Sequence, residues 1–282
     1  MRFPQPLIGF GFILATGFIM AASVYSAEKI SESETKAAGL LKQAIQDNSS
    51  DEDRGKTLLI AAQQAKEILK ADHYAVPLLN EAITDYKESS NVKQLEKALR
   101  NCQESITFRP IGEAKQPAGF PEWTPLHVIE VKKYPEYRMA EVQMKDSEDR
   151  SFWMLFNHIK RNEIAMTAPV EIGYDSSKEN ADEASMAFLY RDQELGKLGN
   201  DQNDSNVIVK DVPAMQVVSI GCRGNMNEQE VKAAREKLEE WLDAHPDYKI
   251  SANLRKLGYN SPMIPSFMRY YEVQLPVELV KE

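Results

Sequence analysis

Ile164-Ala165-Met166-Thr167-Ala168-Pro169-Val170 is the stretch on which the fold turns. With Glu171 and Ile172 it forms an apolar run of strand length, predicting a strand over 164–172. Pro169 has no N–H to give to a ladder, so this strand is expected at an edge or a bulge. Immediately before it, Ser151 to Ile159 carries Phe152, Leu155, Phe156 and Ile159 at helical spacing. Further upstream, His127 to Tyr134 and Tyr137 to Val142 alternate well enough to be two strands joined at Pro135-Glu136. Downstream, Met186 to Tyr190 is a short strand. The order through this half is therefore β-β-α-β-β.

The same order begins again. Val207 to Val209 and Met215 to Ile220 read as strands on either side of Asp211-Val212-Pro213. Glu228 to Ala244 is an amphipathic helix with Val231, Ala234, Leu238, Trp241 and Leu242 turned inward. Tyr270 to Leu275 closes the pattern. Two similar halves, each with one helix against antiparallel strands, predict an α+β domain. Tyr174–Glu183 and Asp192–Asn206 are Asp- and Asn-rich and read as surface loops.

The N-terminal part is different in kind. Leu7 to Val24 is apolar, and no charge lies between Arg2 and Glu28. Val24-Tyr25-Ser26 offers tolerated residues for a cut before Ala27, so residues 1–26 are expected to be a signal peptide. An uncleaved membrane anchor is the alternative, because the run approaches the length that spans a bilayer. In both cases the bulk of the chain is expected outside the cytoplasm, periplasmic or secreted. Residues 28–105 are rich in good helix formers and predict three or four helices, broken at Asn48-Ser49-Ser50-Asp51 and at Ser89-Ser90-Asn91. Residues 106–122, with their prolines and glycines, read as a linker, and 123–282 as the α+β domain.

Composition narrows the function. The 282 residues carry 34 Lys and Arg against 43 Asp and Glu, a net charge of −9 with no basic block. That argues against a nucleic-acid partner. Cys102 and Cys222 are the two cysteines and make no metal-type pair; whether they form a disulfide or stay free is open from spacing alone. No G-x-S-x-G, H-E-x-x-H or Gly-rich phosphate loop is present, so no catalytic residue is assigned. Nor is any residue assigned to a metal.

Three segments in order resemble one family. Val128-Ile129-Glu130-Val131-Lys132-Lys133-Tyr134-Pro135-Glu136-Tyr137-Arg138-Met139-Ala140 is similar to the opening of the SOUL haem-binding proteins. Ile164 to Val170 matches their IAMTAPV signature at every position. Gly258-Tyr259-Asn260-Ser261-Pro262, followed by Arg269-Tyr270-Tyr271-Glu272-Val273, resembles their closing segment. The resemblance covers about 150 residues. It implies a distorted antiparallel β-barrel of two pseudo-symmetric halves with two main helices, preceded here by the all-α region. It also implies non-covalent binding of haem or another tetrapyrrole in an apolar groove beside the first helix. Two departures matter. Ile159-Lys160-Arg161-Asn162-Glu163 lacks the glycine often found there, and Lys133 stands where some members carry a histidine proposed as an iron ligand. A protonated lysine is a poor ligand for iron.

On that resemblance the cofactor-binding candidates are Phe152, Leu155, Phe156 and Ile159 for the macrocycle, with Arg150, Lys160 and Arg161 for its propionates. Such a stripe is more often a plain core face than a cofactor surface. His158 either ligates iron or hydrogen-bonds locally, and the local role is the commoner fate of a lone histidine on such a face. His73, His127 and His245 receive no function. The domain resembles more distantly the small-molecule effector domains of some bacterial regulators. Two other functions therefore stand beside tetrapyrrole binding: a module for a different small amphiphilic ligand, and a partner-binding protein acting through its helical region.

Overall fold

The computed structural model describes residues 29–47, 50–145, 147–175 and 182–280. The proposed export segment lies outside the described residues. Among those that are described, no helix is long and apolar enough to cross a membrane.

Four helices make up the N-terminal region: α1 (Glu32–Ile45), α2 (Asp51–Leu69), α3 (Ala75–Ser89) and α4 (Val92–Thr107). Helices α2 and α4 start at the two breaks read from the sequence, whereas α3 follows Tyr74, where no break was read and no side chain caps the helix. Ser31 and Glu34 form a reciprocal capping box on α1, and Asn91 accepts a hydrogen bond from the Gln94 N–H on α4. Their inner faces bury Leu41, Leu58, Leu79, Leu95, Leu99 and Ile106 in a core of their own. Cys102 lies in that core and Cys222 in the other domain; both are free thiols, so no disulfide ties the two parts together.

The rest is one large antiparallel sheet with two helices. The strands are β1 (Ile129–Tyr134), β2 (Tyr137–Gln143), β3 (Val170–Asp175), β4 (Asp182–Leu189), β5 (Gly199–Asn200), β6 (Ile208–Val212), β7 (Met215–Arg223), β8 (Tyr248–Ile250), β9 (Arg255–Gly258) and β10 (Tyr270–Leu279). Helix α5 (Glu148–Arg161) follows β2, and α6 (Glu228–Asp243) follows β7. Strand order is β1-β7-β10-β9-β3-β4-β2-β6-β5, with β8 beside β10. The two halves match ladder for ladder. The pairs β2·β4 and β3·β4 have counterparts in β7·β10 and β9·β10, β1·β7 answers β2·β6, and β3·β9 joins the halves.

The distorted barrel that the family resemblance implied is not what the ladders form. The strand path ends at β1 and β5, which do not pair with each other. The sheet is strongly curled instead. Strands β1 and β2 stand far apart in the order, yet two residues join them. Pairing between the β1–β2 and β6–β7 ribbons lapses at Pro135-Glu136 and Pro213-Ala214, between Tyr134↔Met215 and Tyr137↔Val212. A proline at each break removes a ladder donor, which is the physical reason for the interruption.

The expected strand over 164–172 is also shorter at its start. Residues 164–169 are irregular, and the strand runs from Val170 to Asp175. The Ala168–Pro169 bond is cis. The Thr167 hydroxyl donates to the Leu189 carbonyl (2.5 Å), and the Ala168 N–H to the Lys115 carbonyl (3.1 Å). These partners take the place of a regular ladder. Strands β8 and β9 have no counterpart in the sequence reading, because Tyr248–Ile250 and Arg255–Gly258 are too short and too charged to stand out.

One face of the sheet is covered by α5 and α6, with Leu155, Ile159, Phe188, Val218, Leu238, Tyr271 and Val273 in the core between them. Among the described residues no helix covers the other face. Residues 108–126 lie there. Phe120 sets its ring edge-on to Tyr134 and Tyr137 (centroids 4.9 and 5.1 Å), and Trp123 packs edge-on to Tyr270 (5.8 Å). Glu113 accepts from the Ser261 N–H (2.6 Å) and hydroxyl (2.9 Å). The stretch expected as a linker is thus packed along the domain for most of its length. Beneath it lies a buried polar network in which Lys132 Nζ reaches both Glu272 oxygens (2.9 and 3.1 Å). Glu272 also accepts from the Thr124 N–H (2.8 Å), Tyr270 (2.9 Å), Ser219 (3.2 Å) and Gln274 (2.6 Å). A buried ion pair of this kind is tolerable because every oxygen is satisfied.

Candidate functional site

Helix α5 is built to stand firmly on the sheet. Ser147 caps it, accepting from the Arg150 N–H (3.3 Å). Glu148 and Asp149 occupy its first turn and His158, Lys160 and Arg161 its last, a distribution that suits the helix dipole. Leu155 and Ile159 are buried in the sheet core. Phe152 and Phe156 are half-buried one turn apart, their rings nearly parallel (12°, centroids 6.1 Å), with Phe152 edge-on to Phe188 (5.2 Å). Trp153 is 57% exposed and sets its ring perpendicular to Phe152 (5.9 Å) and Phe156 (5.5 Å). Arg150, Lys160 and Arg161 are exposed on the same helix. At i, i+3, i+7 and i+10, Arg150, Trp153, Asn157 and Lys160 form one outward stripe.

His158 faces the opposite way. It is 3% exposed, with both ring nitrogens engaged. Nε2 lies 2.6 Å from the Tyr190 hydroxyl, and Nδ1 makes a short contact with the Asp201 carboxylate. Burial alone would raise the Asp201 carboxyl. The hydrogen bonds from His158 and from the Asn203 and Asp204 N–H groups overturn that and hold it at about 2. An ionised carboxylate only accepts, so Nδ1 carries a proton, and neither nitrogen is left for a metal. Burial also pushes the Tyr190 hydroxyl up to about 12, so it remains protonated against Nε2.

The structure therefore divides the candidates from the sequence. Phe152, Phe156, Arg150, Lys160 and Arg161 reach the surface of α5. Leu155, His158 and Ile159 do not; they are core and hydrogen-bonding residues, buried because their spacing faces the sheet. Arg161 is 3.2 Å from Asp201, which leaves it partly engaged. Trp153 was missed. The signal was in Phe152-Trp153: a tryptophan off the apolar stripe of an amphipathic helix is one the core does not claim. Both cysteines are poor nucleophiles, since burial pushes each thiol up to about 12. Among the described residues no group of three or more His, Cys, Asp and Glu side chains is placed to hold a metal ion.

Fold and surface together define an α+β domain of two matching halves that presents an aromatic helix face. The chain belongs to the SOUL heme-binding protein family, whose match spans residues 121–276, more than half of its length. No curated protein matches this chain. Among solved structures, the EcmrR C-terminal domain is 18% identical with a TM-score of 0.42, over 54% of this chain and 98% of that one. A hydrolase from Listeria innocua is 13% identical with a TM-score of 0.42, over 55% and 94% of the two chains. A putative bacterial transcription regulation protein from Staphylococcus aureus MU50 is 10% identical with a TM-score of 0.33, over 53% and 97%. None of these likenesses bears on function.

Proposed function

We propose that this protein binds haem or a related tetrapyrrole non-covalently, with the macrocycle against the aromatic face of α5 and no axial ligand from that helix. Family membership supplies the ligand class. The observation that carries the site is the cluster of Phe152, Phe156 and the exposed Trp153. A flat apolar ligand removes that surface from water at roughly 25 cal/mol per Å². Exposed cations at Arg150, Lys160 and Arg161 suit propionate arms, each adding little while it remains solvated. Micromolar affinity corresponds to about 8 kcal/mol, the yield of burying roughly 300 Å² of apolar surface at that coefficient, with no coordination involved. The residues thus fit the apolar and anionic parts of a tetrapyrrole but not an iron-ligating role for α5.

Absorption titration of the purified protein with haemin and with metal-free porphyrin tests this reading. Both are expected to bind, with affinities within a few-fold of each other. Failure of metal-free porphyrin to bind overturns it. So does loss of haem binding in a folded His158→Ala variant. The proposal places the domain outside the cytoplasm, on the strength of the apolar, charge-free stretch between Arg2 and Glu28. Cell fractionation that leaves the full-length protein in the cytosol overturns that part alone.

A further inference from the structure

The turn between β9 and β10 carries no charge from Leu257 to Met268 and contains Pro262-Met263-Ile264-Pro265-Ser266-Phe267-Met268. Met263 is 87% exposed and Phe267 67%, more than any other large apolar side chain among the described residues. Met268 beside them is exposed too. Side chains left in water forgo roughly 25 cal/mol for each Å² that could be buried. Apolar surface gathered this densely marks a contact with something outside the fold.

The turn is held in one shape. Arg269 donates from Nε to the Ile264 carbonyl (2.6 Å) and from Nη2 to the Pro262 carbonyl (2.7 Å). The Ile264 N–H goes to the Ser261 carbonyl (3.2 Å) and the Met268 N–H to the Pro265 carbonyl (2.8 Å). Asn260 donates to the Ile111 carbonyl (2.8 Å) and accepts from the Tyr270 N–H (2.9 Å). Pro262 and Pro265 have no N–H at all. Much of the backbone polarity is therefore satisfied within the turn, as a segment that leaves water for lipid requires.

The place where the chain enters identifies the occupant. Lys29 is the first described residue, and the apolar run Leu7–Val24 precedes it. The Ser31 N–H goes to Glu34 (2.7 Å), and Glu34 pairs with Arg109 (2.8 Å). Two residues beyond Arg109, the Ile111 carbonyl holds Asn260 at the base of the turn. The entry point and the turn thus lie at one end of the molecule. The stretch from Val24 to Lys29 reaches at most about 18 Å. With Leu7–Val24 in a bilayer, so short a tether keeps this end of the protein against the same surface. Ile30, at the entry point, is exposed as well. A net charge of −9 gives no attraction to anionic lipid, so the contact is apolar.

We infer that the β9–β10 turn is a membrane-contact site. Met263 and Phe267, with Met268 beside them, enter the headgroup and upper acyl region of a bilayer. They seat this end of the protein on the surface in which Leu7–Val24 anchors it. The inference rests on the anchor reading of that segment and is independent of tetrapyrrole binding.

Site-directed labelling of the full chain, reconstituted in phosphatidylcholine vesicles, tests it. Met263→Cys, Phe267→Cys and Ile250→Cys variants each carry a nitrobenzoxadiazole label; the two native thiols, pushed up to about 12, react poorly. Ile250 is the control, 49% exposed and paired with Val277, roughly 20 Å along β10 from the turn. A lipid nitroxide high on the acyl chain should quench the labels at 263 and 267 several-fold more than the label at 250. High salt should leave that quenching unchanged. Adding Phe267→Asp to the chain labelled at 263 should remove most of it. Circular dichroism melts check folding, and Phe267→Ser takes its place if the charge disturbs the turn. Equal quenching at all three positions, or undiminished quenching in the folded Phe267 variants, overturns the inference. Labels at 263 and 267 that escape the nitroxide overturn it as well. If they also escape aqueous iodide, residues 7–24 or a second copy of the chain cover the turn instead. Haemin titration alone judges the α5 proposal, so the two fail separately.

Discussion

His158 shows how much a single residue's role depends on partners far away in the chain. Its place on the helix, in step with Leu155 and Ile159, already pointed inward. Asp201 stands 43 residues on in a polar loop, and nothing in that loop's composition names it as the partner. Replacing His158 with Ala takes away the partner of the Tyr190 hydroxyl and of Asp201 Oδ2, while Asp201 Oδ1 keeps the Asn203 and Asp204 N–H groups. Denaturant melts should show a loss of about 1–3 kcal/mol, the usual cost of unsatisfied buried polar groups. Porphyrin affinity should hold. Asp201 and Glu34 also set an acid limit. Burial by itself would raise the Glu34 carboxyl, but hydrogen bonds from Ser31 and the nearby Arg109 guanidinium bring it to about 2. Both folded-state values lie below the unfolded ones near 4. Their stabilisation is therefore complete above that value and is lost as pH falls toward 2. Melting temperature followed from pH 5 to pH 2 should drop across that interval, and less steeply in an Asp201→Asn variant.

At the scale of elements, α5 and the stretch before β1 test the reading most directly. Helical periodicity was enough to locate α5 and its buried stripe. It was not enough to say that Trp153 stays in solvent between two phenylalanines, because exposure depends on what the rest of the fold leaves uncovered. Trp153→Ala removes no core contact, so the melting curve should stay put while porphyrin affinity falls about tenfold, equivalent to 1.4 kcal/mol. A titration in which affinity is unchanged removes Trp153 from the site. The 106–122 segment read as a linker from its prolines and glycines, which mark irregular backbone but not freedom. In the structure Glu113 binds Ser261, Phe108 lies against Tyr270 (6.1 Å), and Phe120 covers two tyrosines. A fragment beginning at residue 123 should therefore be less stable than one beginning at 106, by about 3 kcal/mol or more, as for removal of a buried aromatic. Equal melting midpoints for the two fragments would return the segment to linker status.

Over the whole molecule, one large apolar core lies among α1–α4 and another between the sheet and its two helices, with two smaller clusters on the opposite face of the sheet. Contact between the parts includes Glu104, whose carboxylate meets Arg223 (3.1 Å) and His127 (3.5 Å). The sequence by itself determined the class of the domain, its repeated β-β-α-β order, its helix faces and its family. Those are local properties: a period of two or 3.6, a cap, and a motif readable along the chain. Only the tertiary structure decided that the sheet curls without closing, which residues of α5 are left in water, and that Met263 and Phe267 are left there too. Those depend on strand register and on side chains distant in sequence. Arg255 meets Tyr137 across 118 positions. Lys132 meets Glu272 across 140. No periodicity spans such a distance; pairing register does, because shifting a strand by one residue sends every side chain to the opposite face.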